Sequence, residues 1–247
     1  MTALGNAWDV GDDATLRESD DAGHREGVAA DDVPAASNES AGGAKGEEIR
    51  RGYADAESRL ADVDDDIEDL AERLVAAEGD RELYLAGLLR EVRAARDSVR
   101  RVLNGVDPLA PETGRDGRPR LERAVAELEG TVERTHLAFL DRPEDVLERL
   151  RSRLRQADRT LSLLEGFLGN APSEVETRYA DPVSAVRSRY ERLYRAVTAM
   201  DATYRADQAA GPEYERSRTD VTEEMSGLVT DLQLVYAEVQ RQVFRLP

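Results

Sequence analysis

Residues 54–77 read ADAESRLADVDDDIEDLAERLVAA, and two readings compete for them. Asp62, Asp64 and Asp66 alternate like the first ligands of a calcium-binding loop. Ala56, Leu60, Val63, Ile67, Leu70, Leu74 and Ala77 recur at steps of four and three. The loop needs glycine at its sixth position and a bidentate glutamate at its twelfth. Counted from Asp62, those places hold Ile67 and Arg73. The sharp turn and the last ligand are both missing, so the helical period decides. Steps of four and three return apolar side chains to one face and make the seam of a coiled-coil-like helix. Asp62, Asp66, Asp69 and Arg73 then form a stripe expected to face water.

The same period continues along the chain. Gly79-Asp80 supplies a stop and a new start. Leu85, Leu88, Val92, Ala95, Val99 and Val102 follow, out of register with the first seam, which favours a turn at Gly79 over one rod. Asn104-Gly105 ends that helix. The stretch VDPLAPETGRDGRPR, residues 106–120, carries three prolines and two glycines and reads as a boundary or exposed loop. A third helix is expected from about Pro119 with Leu121, Val125, Leu128, Val132, Thr135 and Phe139 on its seam. Asp141 and Pro143 open a fourth, which runs through Leu147, Leu150, Leu154, Ala157, Leu161, Leu164 and Leu168 to Gly169-Asn170. A fifth is firm from Asp181-Pro182, with Ser173 as a possible earlier turn that adds Tyr179. It carries Val183, Val186, Tyr190, Leu193, Val197, Met200 and Tyr204. Gly211-Pro212 breaks the chain before a sixth, with Val221, Met225, Leu228, Leu232, Val235 and Val239.

No period-two run is bounded by turn signals, so no sheet is expected. Short links between long helices make antiparallel neighbours. The expected fold is all-α: an antiparallel coiled-coil-like helical bundle of about six long helices, or three αα-hairpins, behind a disordered N-terminal tail. The expected division is an acidic tail at 1–46, a helical hairpin at 47–104, a Pro/Gly-rich loop at 105–118 and a four-helix region at 119–247.

Composition sets the environment. The 247 residues carry a formal charge of −18, and 35% of them are charged. Lys45 is the one lysine, so 33 of the 34 basic residues are arginine. Dense carboxylates with almost no lysine match a salt-adapted proteome, where a hydrated acidic surface keeps a protein in solution; a GC-rich genome is the plainer source of the arginine. The start MTALGNAWDV has neither the basic nor the apolar region of a signal peptide. No run approaches the roughly 20 apolar residues that span a bilayer. The expected location is the cytoplasm.

Residue types also exclude chemistries. Cysteine is absent, which removes disulfides, thiolate nucleophiles and cysteine zinc sites. Residues 47–247 hold no lysine and one histidine, which removes the P-loop lysine and Schiff-base chemistry. Glu133 and His136 form an E-x-x-H, the spacing of di-iron carboxylate bundles. The second such motif is missing, and the other histidine is His24, in the tail. With Val132 and Thr135 on the seam, Glu133 is expected to point outward and His136 to lie at the surface or boundary. Asp65, Glu68, Asp69 and Glu72 imitate the carboxylate cluster of an all-helical phosphohydrolase, without a partner motif on a following helix. No cofactor or metal is expected.

Interaction surfaces remain. In LERLRSRLRQADR, residues 147–159, Arg151, Arg155 and Arg159 stack at steps of four, beside a second row of Arg149 and Arg153. Such rows either pair with acidic rows of neighbouring helices or contact a partner. Tyr194, Tyr204 and Tyr236 belong to a set of tyrosines concentrated in the last two helices. Trp8, the only tryptophan, sits in ALGNAWDV at residues 3–10 with acidic residues after it; an isolated tryptophan of this kind can anchor a tail in a groove. The expected role is a non-catalytic helical scaffold, adaptor or assembly subunit that acts by protein–protein helix packing. Its partner is another protein or, as a homo-oligomer, itself. The first alternative is a metal-dependent all-α phosphohydrolase using helical carboxylates. The second is a nucleic-acid-associated protein using the arginine stripes, disfavoured by the net negative charge. A membrane is not an expected partner.

Overall fold

Turn chemistry places the breaks of the chain. The computed structural model describes the backbone of residues 38–105, 111–207 and 211–243, and the side chains of 50–105, 117–206 and 211–242. Helices follow in the order α1 Asn38–Leu74, α2 Gly79–Gly105, α3 Pro111–Phe139, α4 Pro143–Gly169, α5 Ser173–Asp207 and α6 Pro212–Val243. No strand occurs among the described residues. The expected tail, as far as residue 37 and including Trp8, lies outside them. Gly79 has a φ of +63°, a left-handed conformation in which a Cβ would collide with the backbone, and it turns α1 into α2. Pro143 occupies the first turn of α4 behind an extended Arg142, where its locked φ suits the helix and its missing N–H costs nothing. Asp141 is not the cap; it pairs with Arg81 of α2.

Two helices start earlier than their sequences suggest. The loop expected at 105–118 gives way to α3 from Pro111, with Pro119 inside it. The firm start of α5 at Asp181-Pro182 moves back to Ser173, with Pro182 inside it. Both internal prolines are exposed. A proline removes one backbone hydrogen bond. On a solvent-facing side, water can take up the freed carbonyl, so the helix continues.

Contacts between side chains give the directions. Asp64 of α1 receives Arg96 and Arg100 from the antiparallel α2. The helices α1 and α3 run parallel: Arg59 meets Glu129, and Arg73 donates to the Phe139 carbonyl at 2.8 Å. The helices α3 and α6 run antiparallel, with Arg218 at the Leu140 carbonyl, 2.6 Å away, and Arg241 at Glu122, 3.1 Å away. The antiparallel pair α4 and α5 is marked by Arg151–Asp201 at 2.6 Å and Arg187–Glu165 at 2.9 Å.

The apolar seams collect into two clusters. One gathers Leu60, Leu70, Leu89, Val92 and Leu128 between α1, α2 and α3. The other gathers Leu150, Leu161, Leu164, Tyr214, Met225 and Leu228 between α4, α5 and α6, and takes Leu137 from α3. The buried clusters therefore meet at α3. Burying each such side chain contributes about 1.5–3 kcal/mol, so each triple of helices has a core of its own.

Between the two clusters lies the contact of α3 with α6, and small residues make it close. A Cβ added at Gly130 would overlap the Thr230 hydroxyl and the Ser226 carbonyl. Thr230 Oγ1 donates toward the Ala126 carbonyl across the gap at 3.2 Å. A similar device works between α5 and α6. Gly227 leaves the space in which the Arg189 guanidinium lies, and Arg189 there reaches Glu224 at 3.1 Å and Asp231 at 2.5 Å.

Candidate functional site

The arginine rows of α4 separate according to the face they occupy. Arg149 and Arg153 turn toward α3 and clamp Glu133, whose exposure is 1%. Arg149 donates from Nε and Nη2 at 2.9 and 2.8 Å, and Arg153 donates from Nε at 2.8 Å. Burial by itself would raise this carboxyl; the two guanidinium groups overcome it and hold its pKa at about 2. One turn earlier, Glu129 has Arg59 as its hydrogen-bonded partner, and burial pushes its carboxyl above the ordinary range. The outward Glu133 expected from the seam is thus corrected, while His136 takes the boundary position of its surface-or-boundary reading. Glu133 is buried, and His136 is largely covered, with Nε2 3.3 Å from Asp66 of α1. Asp66 is itself buried, so the stripe of Asp62, Asp66, Asp69 and Arg73 does not all face water. The cause is that α3 packs against neighbours on more than one side, which leaves little of it outward. Ala126 and Gly130, small residues spaced four apart opposite the seam, are the sequence signal of that second face.

The three alternating aspartates of α1 have different surroundings. Asp62 is exposed, Asp64 binds two arginines of α2, and Asp66 meets His136. Three acids on a helix, pointed at three surroundings, do not converge on an ion. Asp65, Glu68, Asp69 and Glu72 are all exposed along α1. Among the described residues, no group of three or more carboxylates and imidazoles is arranged to hold a metal. No described helix is long and apolar enough to cross a membrane.

The other arginine row faces α5 and helps to form a groove of about 450 Å³. Leu154, Val197 and Tyr190 form its apolar floor, and Tyr194, Thr198, Arg151, Arg155, Asp201 and Arg205 its sides. Tyr194 is 55% exposed and lies against Tyr190, with ring centroids 6.3 Å apart. Asp201 is the acid in this lining, and it is already bound by Arg151 at 2.6 Å and Arg205 at 3.1 Å. Arg155 and, one turn further along α4, Arg159 are exposed. Both lack a carboxylate within pairing distance among the described residues. The groove therefore presents the exposed Tyr194 ring under a cationic edge, over a floor closed by the buried Leu154 and Val197.

Three of the residues singled out in the sequence, Arg151, Arg155 and Tyr194, come together here, with Arg159 beside them. Tyr204 and Tyr236 do not join them. Tyr204 donates to Glu144 and packs on Tyr214 with ring centroids 5.7 Å apart. Burial drives the Tyr214 phenol up to about 12. Tyr236 is half-buried and accepts from Gln240 at 3.2 Å. Trp8 lies outside the described residues. Leu154 and Val197, which close the groove floor, read as core from their seams and are buried. No family model matches the chain, and no curated protein or solved structure is similar to it.

Proposed function

We propose that this chain is a non-catalytic helical adaptor, and that the groove between α4 and α5 takes an acidic, aromatic-bearing segment of a partner protein in a salt-adapted cytoplasm. The observation that carries this reading is the exposed Tyr194 in one lining with Arg155, with Arg159 a turn further along α4, and neither arginine paired with a carboxylate among the described residues. Exposed arginines left unpaired at an aromatic cleft favour acceptance of outside carboxylates. The division of labour fits concentrated salt. At ~1 M salt the screening length is about 3 Å, so the arginines act only at contact and select sign and register. The Tyr194 ring, 55% exposed, supplies apolar contact, which salt does not weaken.

The test uses the full chain with Trp8→Ala, so that tryptophan in an added acidic peptide is the sole fluorophore of its kind. Saturable binding is expected, weakened at least about tenfold by Tyr194→Ser with Arg155→Glu. Absence of binding, or equal binding to the doubly altered groove, overturns the reading.

A further inference from the structure

Two surfaces of the chain fit each other. We propose that the α1–α2 turn of one copy docks at the α4–α5 groove of the next, so that copies join head to side. This rests on the adaptor reading and names the acidic, aromatic-bearing segment that the groove takes.

Exposure singles the two surfaces out. Among the described residues, the exposed large apolar side chains are Val75, Leu83, Tyr84, Leu163 and Tyr194. The first three stand at one end of the bundle, where α1 turns into α2, and Val75 is 87% and Leu83 71% exposed. Tyr194 lines the groove, and Leu163 lies one turn beyond Arg159 on α4. A single exposed leucine is ordinary; three large apolar side chains gathered at one tip mark a surface that is covered by something else. The core does not call for them. The buried side of α2 is formed by Leu85, Leu88, Leu89, Val92 and Val99, and Leu83 and Tyr84 lie off it.

Charge decides which surface meets which. Glu78, Asp80 and Glu82 are interleaved with the tip residues and exposed. Arg81, the basic residue of residues 75–84, is taken by Asp141. The tip is therefore apolar and anionic, and the groove edge is aromatic and cationic. Two tips face to face would oppose carboxylates, and two grooves would oppose guanidinium groups; like charges across a contact are costly. Tip against groove sets Leu83 and Tyr84 on the exposed Tyr194 ring, where aromatic pairs add to the contact. It also sets Glu78 and Glu82 against Arg155 and Arg159. Each of these pairs is four positions apart, so both repeat at about the 6 Å of one helical turn. The cleft between α5 and α6 is a poorer acceptor: it holds none of the exposed large apolar side chains, and its Arg189 is already bound by Glu224 and Asp231.

A contact between two different patches leaves a free tip at one end and a free groove at the other, so association does not stop at two copies. A few side chains on each side place it in the small class, below ~1,200 Å², and assembly is expected between ~10 µM and ~1 mM protein.

The test is solution mass by light scattering on the full chain at ~1 M salt. Wild-type mass should rise past twice that of one chain as concentration increases. Leu83→Gln with Tyr84→Gln removes the tip, and Tyr194→Ser with Arg155→Glu removes the groove. Each should weaken self-association at least about tenfold. Mixed together, the two variants should form a one-to-one complex that grows no further, because between them they hold one intact tip and one intact groove. That complex also shows that both variants are folded. A wild-type assembly that stops at two, a tip variant that assembles as well as wild type, or variants that stay apart when mixed while wild type assembles would each overturn the proposal. If wild type stays a single chain throughout while the Trp8→Ala chain binds the acidic peptide, the proposal falls and the adaptor reading stands. If neither assembly nor peptide binding occurs, both fall.

Discussion

The α1–α3 and α4–α6 halves bury similar seams of leucine and valine but treat buried polar atoms differently. Among the described residues, five buried side-chain polar atoms make no well-aligned hydrogen bond, Tyr53 Oη, Arg59 Nε, Asp66 Oδ2, Arg134 Nε and His136 Nε2, although Arg59 Nε lies 3.0 Å from Asp55 and His136 Nε2 3.3 Å from Asp66 Oδ2. All five belong to α1 or α3. In α4–α6, Tyr179 donates to Glu238 at 3.2 Å, Thr160 to the Gln156 carbonyl at 3.2 Å, and Arg187 is held by Asp158 and Glu165. An unmade buried hydrogen bond costs about 1–3 kcal/mol. The lesson is that equal seams do not make equal halves. The first three helices are therefore expected to be the weaker unit, with their attachment to α6 through α3 as support.

The largest effect should come from the better-satisfied half. Leu161→Ala, at a fully buried site, should cost about 3–5 kcal/mol in denaturant unfolding, because a rigid surround leaves a cavity. Leu88→Ala in α2 should cost nearer 2 kcal/mol, since a looser surround collapses more. Equal losses would break the comparison.

Next in size is the clamp that joins the halves. Glu133→Gln should cost about 3 kcal/mol at neutral pH, the free-energy equivalent of a carboxyl lowered from 4.5 to about 2. The sign follows from that lowering. The contribution is complete above the ordinary carboxylate range and is lost as pH falls from about 5 toward 2. Glu129, raised by burial, has the opposite sign: its ionisation costs stability at neutral pH, and acidification relieves that cost. An acid titration of stability in wild type and Glu133→Gln should show the low-pH loss flattened in the variant. Parallel curves would remove the clamp from the account.

The smallest effect is expected at Asp66 and His136. Replacing both by leucine should leave stability within about 1 kcal/mol of wild type or raise it, since two poorly aligned buried groups become apolar contact. Either substitution alone should destabilise, because it strands the other partner. A large loss in the double variant would show that this pair is better satisfied than its geometry indicates.

Most of the fold was legible from periodicity. The seam residues of α4, Leu147 to Leu168, are all buried, as are those of α3 from Leu121 to Phe139. A single stripe was readable because large aliphatic residues mark it. The second stripe of α3, with Ala126, Gly130 and Leu137, was not, since small side chains signal close approach only when the neighbour is known. The start of α3 was misplaced at Pro119, and Ser173 was read only as a possible earlier turn of α5 ahead of Pro182, for a related reason. Whether a proline ends a helix depends on which way it faces, and that is a tertiary fact. For the groove, the arginine row and Tyr194 were visible, but the clear path between them was not: it depends on which acids Arg149, Arg153 and Arg187 take away.

Arg218 has one further consequence. Its guanidinium donates to the carbonyls of Leu137, Ala138 and Leu140, the last of these 2.6 Å away, and so closes an end of α3 that no local residue closes. Arg218 follows Ala138 by 80 positions. On a ribosome adding about 5–20 residues each second, it is made roughly 4–16 s after the helix it finishes. Until then the Leu137, Ala138 and Leu140 carbonyls must borrow water, with only the Phe139 carbonyl held by Arg73 of α1. The growing chain therefore has a built-in order of maturation, in which the earliest helices are the last to be secured.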